Sequence, residues 1–340
     1  MSITLDLSIT STLRSEFNRA HPDFLYSDGN TYTVNVEGSD FGLGKAFLGI
    51  VGSTSHNTYI PKTDPDAIDD IDIMGVVPLP ASHLFGLKSF EHWSYKEGEL
   101  DVIIYSLPKF VSLLLKGNPN VMGLLWLREE EQLQVPEWWD RLRNNKWMFA
   151  SKKNVYNSFV GYAKGQMERM TSYTPEIDEE IQQLKEMLAG FDISHEQAVG
   201  DKPLSLLWDY NANLATSLKR YKTLCKKFHF AYMGDKRKEL VRKHGYDSKN
   251  SAHMIRLLGM AIEYLETGEM FVYRTDNSTF APASMIRSIK RGEWALEDVK
   301  LHADMLFRAC EGAYANSTLP EYPDFENAND LLGEIAQENC

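Results

Sequence analysis

Four stretches in the first third of the chain are rich in β-branched and aromatic residues and bounded by Gly, Pro or Asp: 32–36, Phe47–Val51, Ile71–Val77 and 100–105. They predict strands. Helical spacing begins after Ser106, a helix-capping residue type, with Pro108 just inside the first turn. Phe110, Leu113 and Leu114 then recur until Gly117-Asn118-Pro119 stops them. Beyond about residue 150 the period is helical: Tyr156, Phe159, Ala163, Met167 and Met170 share one face, and 177–188, 204–230 and 248–265 continue in the same way. Residues 319–327 read as a loop leading to an acidic terminal helix. The pattern predicts a small α/β domain over 1–150, a mostly α domain over 151–320 and an acidic tail over 321–340, with no internal repeat.

The 340 residues are 43% hydrophobic and 25% charged, a globular composition that excludes a disordered or collagen-like chain. Pro78, Pro80, Gly117 and Pro119 interrupt the most apolar stretches, so no membrane partner is expected. Residues 1–14 lack the basic start and apolar core of a secretory signal. Cys225, Cys310 and Cys340 show no CxxC spacing, which argues against a disulfide framework and fits a reducing cytoplasm.

A net charge of −12 argues against a nucleic-acid binder until its distribution is considered. Residues 219–256 hold twelve Lys/Arg and only Asp235, Glu239 and Asp247 as acids, whereas the last twenty residues hold six acids and no base. One face of an acidic protein is thus cationic, or is an ordinary solvated helix surface.

Several motifs fail on inspection. Gly42-Leu43-Gly44-Lys45 is not a phosphate loop, because Ser39 and Ala46 stand where that motif needs Gly and Ser/Thr. His195-Glu196 lacks a second His, Cys225 and His229 lack further ligands, and no Gly-x-Ser-x-Gly elbow exists. The informative stretch is the strand ending at Val51, then Gly52-Ser53, then Asp70-Ile71-Asp72-Ile73. Residues two apart on a strand face one side, so Asp70 and Asp72 point together while Ile71 and Ile73 enter the core. Two adjacent carboxylates repel unless a cation lies between them, and a hard divalent ion suits oxygen donors. Asp101, embedded in the apolar run 100–105, supplies a third acid. Three acids on neighbouring strands can hold two ions, one activating an attacking hydroxyl and one stabilising the leaving phosphates. Gly52-Ser53 beyond the strand lets backbone N–H groups approach a triphosphate.

Gly52-Ser53, Asp70-Ile71-Asp72 and Asp101 together resemble the signature of the polymerase-beta-type nucleotidyltransferase superfamily. Lys109-Phe110, Leu115-Lys116-Gly117-Asn118-Pro119-Asn120, Gly245-Tyr246-Asp247-Ser248-Lys249-Asn250, His253 through Arg256, and Arg291-Gly292-Glu293-Trp294 narrow it. These are similar to the RNA-repair-pathway polymerase-beta family, over roughly residues 47–320. Two departures stand out: a longer interval before Asp70, read as an insertion at 59–68, and Asn57 where relatives commonly have Gly.

The resemblance implies a small mixed-sheet polymerase-beta-like domain followed by a helical domain. It also implies transfer of an NMP from an NTP to an acceptor hydroxyl with release of pyrophosphate. Asp70, Asp72 and Asp101 are then the catalytic and metal-binding residues for two Mg²⁺ ions, with Mn²⁺ as a substitute. On the helix 248–265, Met254, Leu257, Leu258, Ala261, Ile262 and Leu265 form a buried stripe, and Lys249, His253 and Arg256 fall opposite. With Gly52 and Ser53 these are the expected nucleotide-binding residues. An RNA 3′ end is the leading acceptor, with Lys226, Lys227, Lys236 and Arg237 as its candidate binding residues. A protein or small-molecule acceptor, and a non-catalytic nucleotide- or RNA-binding module, are the alternatives.

Overall fold

A computed structural model describes residues 2–5, 32–35, 45–60, 64, 67, 70–87, 89–97, 100–172, 174–199, 212–228 and 235–339. Strands β1 (Ser2–Leu5) and β2 (Tyr32–Asn35) form an antiparallel pair. A mixed five-stranded sheet follows, made of β3 (Phe47–Val51), β4 (Ile71–Val77), β5 (His92–Glu97), β6 (Leu100–Ser106) and β7 (Gln132–Gln134), in the order β5-β6-β4-β3-β7. Among these strands only β4 and β6 run parallel. Parallel neighbours need a long connection, and here the chain supplies it by going out to the edge as β5 and returning as β6.

Alternation fixes which way each strand faces. On β6, Leu100, Val102, Ile104 and Ser106 are buried, while Asp101, Ile103 and Tyr105 between them are half-buried. Leu100, Val102 and Ile104 join Ala46, Leu48, Ile50, Ile71, Ile73 and Val77 in one core layer. Each large aliphatic side chain buried there contributes about 1.5–3 kcal/mol, so a one-residue slip that put Asp72 and Asp101 into this layer is strongly disfavoured. Farther along the opposite face, Phe47 stacks on Trp139 with ring centroids 3.6 Å apart.

The helices are α1 (Leu107–Leu115), α2 (Glu137–Asn144), α3 (Lys152–Ser172), α4 (Pro175–Ala189), α5 (Ala212–Phe228), α6 (Asp235–His244), α7 (Ser248–Thr267), α8 (Ala283–Lys290), α9 (Leu296–Asn316) and α10 (Phe325–Asn339), with a few shorter turns between. The Ser106 hydroxyl caps α1 by accepting the Lys109 N–H at 3.3 Å. Gly117 ends the turn beyond α1 at φ +65°, where a Cβ would lie 2.9 Å from the backbone of Asn154 and Val155. The fold is thus a small mixed-sheet, polymerase-beta-like domain with a helical region after it, as the sequence motifs imply.

Two compact units interleave along the chain. One comprises Met1–Ala163, Ile255–Arg287 and His302–Cys340, the other Lys164–Met254 and Ser288–Leu301, so α7 passes from the second into the first. In the first unit the acidic C-terminal segment forms α10, which buries Ala328, Leu331 and Ile335, and Arg141 of α2 reaches Glu334 and Glu338. In the second, Ile181, Leu188, Leu214, Tyr221, Leu224 and Val241 of α4, α5 and α6 form a separate core. Most of the expected insertion at 59–68 and the first part of the expected helix 204–230 lie outside the described residues. Among the described residues no helix is long and apolar enough to cross a membrane.

Candidate functional site

The strand registers bring the sequence-predicted acids together. Asp72 on β4 is paired with Asp101 on β6, Asp101 with Lys96 on β5, and Asp72 with Val51 on β3. Lys96, Asp101, Asp72 and Val51 therefore form one row across the sheet, and Asp70, two residues before Asp72, adds a third carboxylate on that side. The row ends at Gly52, whose φ is +69° and where a Cβ would fall 1.9 Å from Asp72 Oδ2. Glycine is required there twice over, by backbone conformation and by the close approach of that carboxylate.

Ser53 and Thr54 follow in the short turn Gly52–Ser55. Their hydroxyls, Ser53 Oγ and Thr54 Oγ1, are buried and have no hydrogen-bond partner among the described residues. A buried hydroxyl without a partner costs about 1–3 kcal/mol, which a bound polar group would recover.

Lys96 is the cation of the row. Its Nζ lies 3.3 Å from Asp70 Oδ2 and 3.2 Å from Asp101 Oδ2. Partial burial opposes its charge, but the Asp101 and Asp70 carboxylates outweigh that and raise the ammonium above its ordinary range. Among the described residues no group of three His, Cys, Asp or Glu side chains is gathered as a metal cage. The donor set nonetheless suits a hard divalent ion: the oxygens are carboxylates, and a cationic group already lies between two of them.

A second layer holds the loop that follows Gly52-Ser53. His56 Nδ1 is 2.8 Å from the Val272 carbonyl, which only accepts, so this nitrogen carries the proton and Nε2 accepts from Arg256 at 2.6 Å. Asn57 adopts φ +55°, the left-handed conformation that Asn tolerates and Gly favours. Its Nδ2 donates to the Arg274 carbonyl at 2.9 Å, and its own carbonyl accepts from Arg287 at 2.7 Å. Arg274 is fully buried and paired with Glu263 through both terminal guanidinium nitrogens. Asn57→Ala should therefore lose about 1–2 kcal/mol in urea unfolding through strain and the missing amide, while Asn57→Gly should stay within about 1 kcal/mol of the parent.

Helix α7 differs from the expected two-faced helix. Met254, Leu257, Leu258, Ala261, Ile262 and Leu265 are buried as predicted, but so are Ser251, Ala252 and Ile255. Arg256 is buried rather than open: it belongs to the first unit, donates to His56 and touches Met260 Sδ at 3.2 Å. Burial, reinforced by the neighbouring Arg274 charge, pushes it down to about 9, so it stays charged at neutral pH. Lys249 and His253 are half-buried and belong to the second unit.

Among the expected acceptor residues, Lys226 and Lys227 are exposed in the last turn of α5. Arg237 instead donates to Asn250 Oδ1 at 2.9 Å and lies 3.6 Å from Asp247, the residue that caps α7 by accepting the Asn250 N–H. The Lys236 side chain lies outside the described residues. Arg220 and Arg242 from the same basic stretch pair with Glu180 and Asp178.

Several residues were not singled out from the sequence. Lys96 sits on an edge strand whose Trp93 and Tyr95 alternate with His92, Ser94 and Lys96, a period-two signal that was available. His56, Glu263, Arg274 and Arg287 carry no motif, and only the fold joins them to the loop. Other motif stretches prove architectural. Asn118 caps Pro119–Met122, the Ser248 hydroxyl donates to the Lys290 carbonyl, and Gly292 at φ +71° makes room for the His244 ring.

No curated protein and no solved structure matches the chain. A family model does match, over a stretch that includes Asp70, Asp72, Lys96 and Asp101 but not Gly52, Ser53, Lys249, His253 or Arg256. Over residues 62–197 the chain is similar to RlaP, the RNA repair pathway DNA polymerase beta family, which is the family that its motifs resemble.

Proposed function

We propose that the acid row catalyses metal-dependent transfer of an NMP from an NTP to an acceptor hydroxyl, and that the acceptor is the 3′ end of an RNA. The observation that carries this reading is the register that sets Asp72 beside Asp101, with Asp70 on the same side and Gly52 against Asp72. The acceptor hydroxyl gives up its proton to a carboxylate of the row, its oxygen forms a bond to the α-phosphorus, the bond from that phosphorus to the α–β bridging oxygen breaks, and pyrophosphate leaves. Asp70, Asp72 and Asp101 would hold Mg²⁺ or Mn²⁺, which supplies Lewis acidity to the attacking hydroxyl and the leaving phosphates. Gly52 keeps the backbone close and unobstructed, and the buried Ser53 hydroxyl is the polar group ready for a phosphate oxygen. Arg256, His56, Asn57 and Arg287 position this loop from behind.

The RNA acceptor rests on the family's pathway and on exposed Lys226 and Lys227. The pairing of Arg220 and Arg242 with acids favours the second reading, a protein or small-molecule acceptor, because it neutralises part of the basic stretch. An α-labelled NTP offered with RNA bearing an intact or a periodate-oxidised 3′ end separates them. The RNA reading predicts label only on the intact end; equal labelling of both, or label on protein, contradicts it. In the RNA case, Lys226→Gln with Lys227→Gln should flatten the dependence of log affinity on log salt by about 0.7 for each phosphate that the variant no longer neutralises. An unchanged slope in RNA binding across a salt series would remove these two lysines from the interface.

A further inference from the structure

Lys96 has no part in the chemistry proposed so far, yet its ammonium lies within 3.3 Å of one oxygen each of Asp70 and Asp101. The arrangement is built into the sheet. Lys96 is the direct antiparallel partner of Asp101, so both side chains emerge on one face, and the long stem carries the charge across to Asp70. We propose that Lys96 is a tethered counter-cation that a divalent ion must displace from Asp70 and Asp101, so that Lys96 sets the metal concentration at which the acid row fills. This rests on the metal-dependent reading above.

Three features suit the role. A divalent ion draws carboxylate oxygens to about 2.0–2.6 Å, and an ammonium left between the same two oxygens would then face a double positive charge at close range. Lys96 lies on the edge strand with 57% of its side chain exposed, so it can leave without disturbing a core. A lysine is a compact, strongly hydrated charge on a flexible stem, whereas an arginine fork would grip two carboxylates more persistently. The ammonium thus relieves carboxylate repulsion in the metal-free protein while remaining exchangeable.

The test is Mn²⁺ binding to the full chain without nucleotide, read from the electron paramagnetic resonance signal of free Mn²⁺. Lys96→Met and Lys96→Gln should each bind Mn²⁺ about fivefold more tightly than the parent, the upper end of what a partly exposed ion pair removed from competition is worth. Thermal unfolding gives a second readout. Both variants should melt earlier than the parent without metal and gain more from saturating Mn²⁺. Should the Met variant fail to fold, the shorter and polar Gln variant carries the comparison. Equal or weaker Mn²⁺ binding by the variants, with clear binding by the parent, would overturn the role of Lys96 and leave the metal site standing. Absence of Mn²⁺ binding in parent and variants alike would overturn both.

Discussion

Asp72→Asn is expected to lower nucleotidyl transfer by about 10³-fold or more while leaving the fold intact. The amide has the shape of the carboxylate, so it still fits against Gly52, but it is a poor ligand for a hard cation. Losing several kcal/mol of transition-state charge stabilisation corresponds to that factor. Removing one of several clustered negative charges should leave thermal stability unchanged or slightly higher, because like charges repel. Gly52→Ala reaches the same end from the opposite side. Its methyl would occupy the position 1.9 Å from Asp72 Oδ2, so the carboxylate must move although it is still present. Activity loss in both variants, with a cooperative unfolding transition retained in Asp72→Asn, is the expected pair of results.

Arg274→Leu is expected to give the largest loss of stability, about 3–5 kcal/mol, measured by urea unfolding. Glu263 is only 7% exposed and receives two hydrogen bonds from the Arg274 guanidinium, so removing the arginine strands a buried carboxylate. The same guanidinium donates to the Ala281 and Phe271 carbonyls, which would lose their partner as well. Glu263→Gln combined with Arg274→Leu should recover part of the loss, since the neutral amide is cheaper to bury than an unpaired charge. The Arg274 carbonyl and N–H also meet Asn57 and His56, so the change reaches the loop behind Ser53. A loss below about 1 kcal/mol would mean that the pair is solvated and that the loop is held by something else.

The acid row was legible in the sequence because its signal is local. Asp70, Asp72 and Asp101 are polar residues inside runs that otherwise read as buried strand, and period-two alternation assigns their faces without knowledge of the fold. Asn57 was legible as a residue type that tolerates the left-handed conformation, which it adopts at φ +55°, whereas Gly52 was read only as allowing close backbone approach and its φ of +69° appears with the fold. The register row was not legible, because which strands are neighbours is decided by a sheet order that brings β6 between β5 and β4. Lys96 consequently passes for an ordinary surface lysine until β5 is paired with β6. The helix pattern misled at Arg256: a polar residue opposite an apolar stripe suggests an open face, but α7 is enclosed on nearly every side and the guanidinium is accommodated by a histidine that precedes it by 200 residues. The acids of α4 that pair with Arg220 and Arg242 precede them by decades of residues, which is why charge counted along the chain overstates the basic face.

The most direct measurement is transfer of label from an α-labelled NTP into an acceptor-bearing mixture, run with and without Mg²⁺, for the parent chain and Asp72→Asn side by side. Label should appear with the parent only when Mg²⁺ is present, with pyrophosphate released in equal amount, and should fall by about 10³-fold in the variant. Undiminished transfer by folded Asp72→Asn, or transfer by the parent that is indifferent to chelation of divalent ions, would contradict the assignment of the acid row as the catalytic centre.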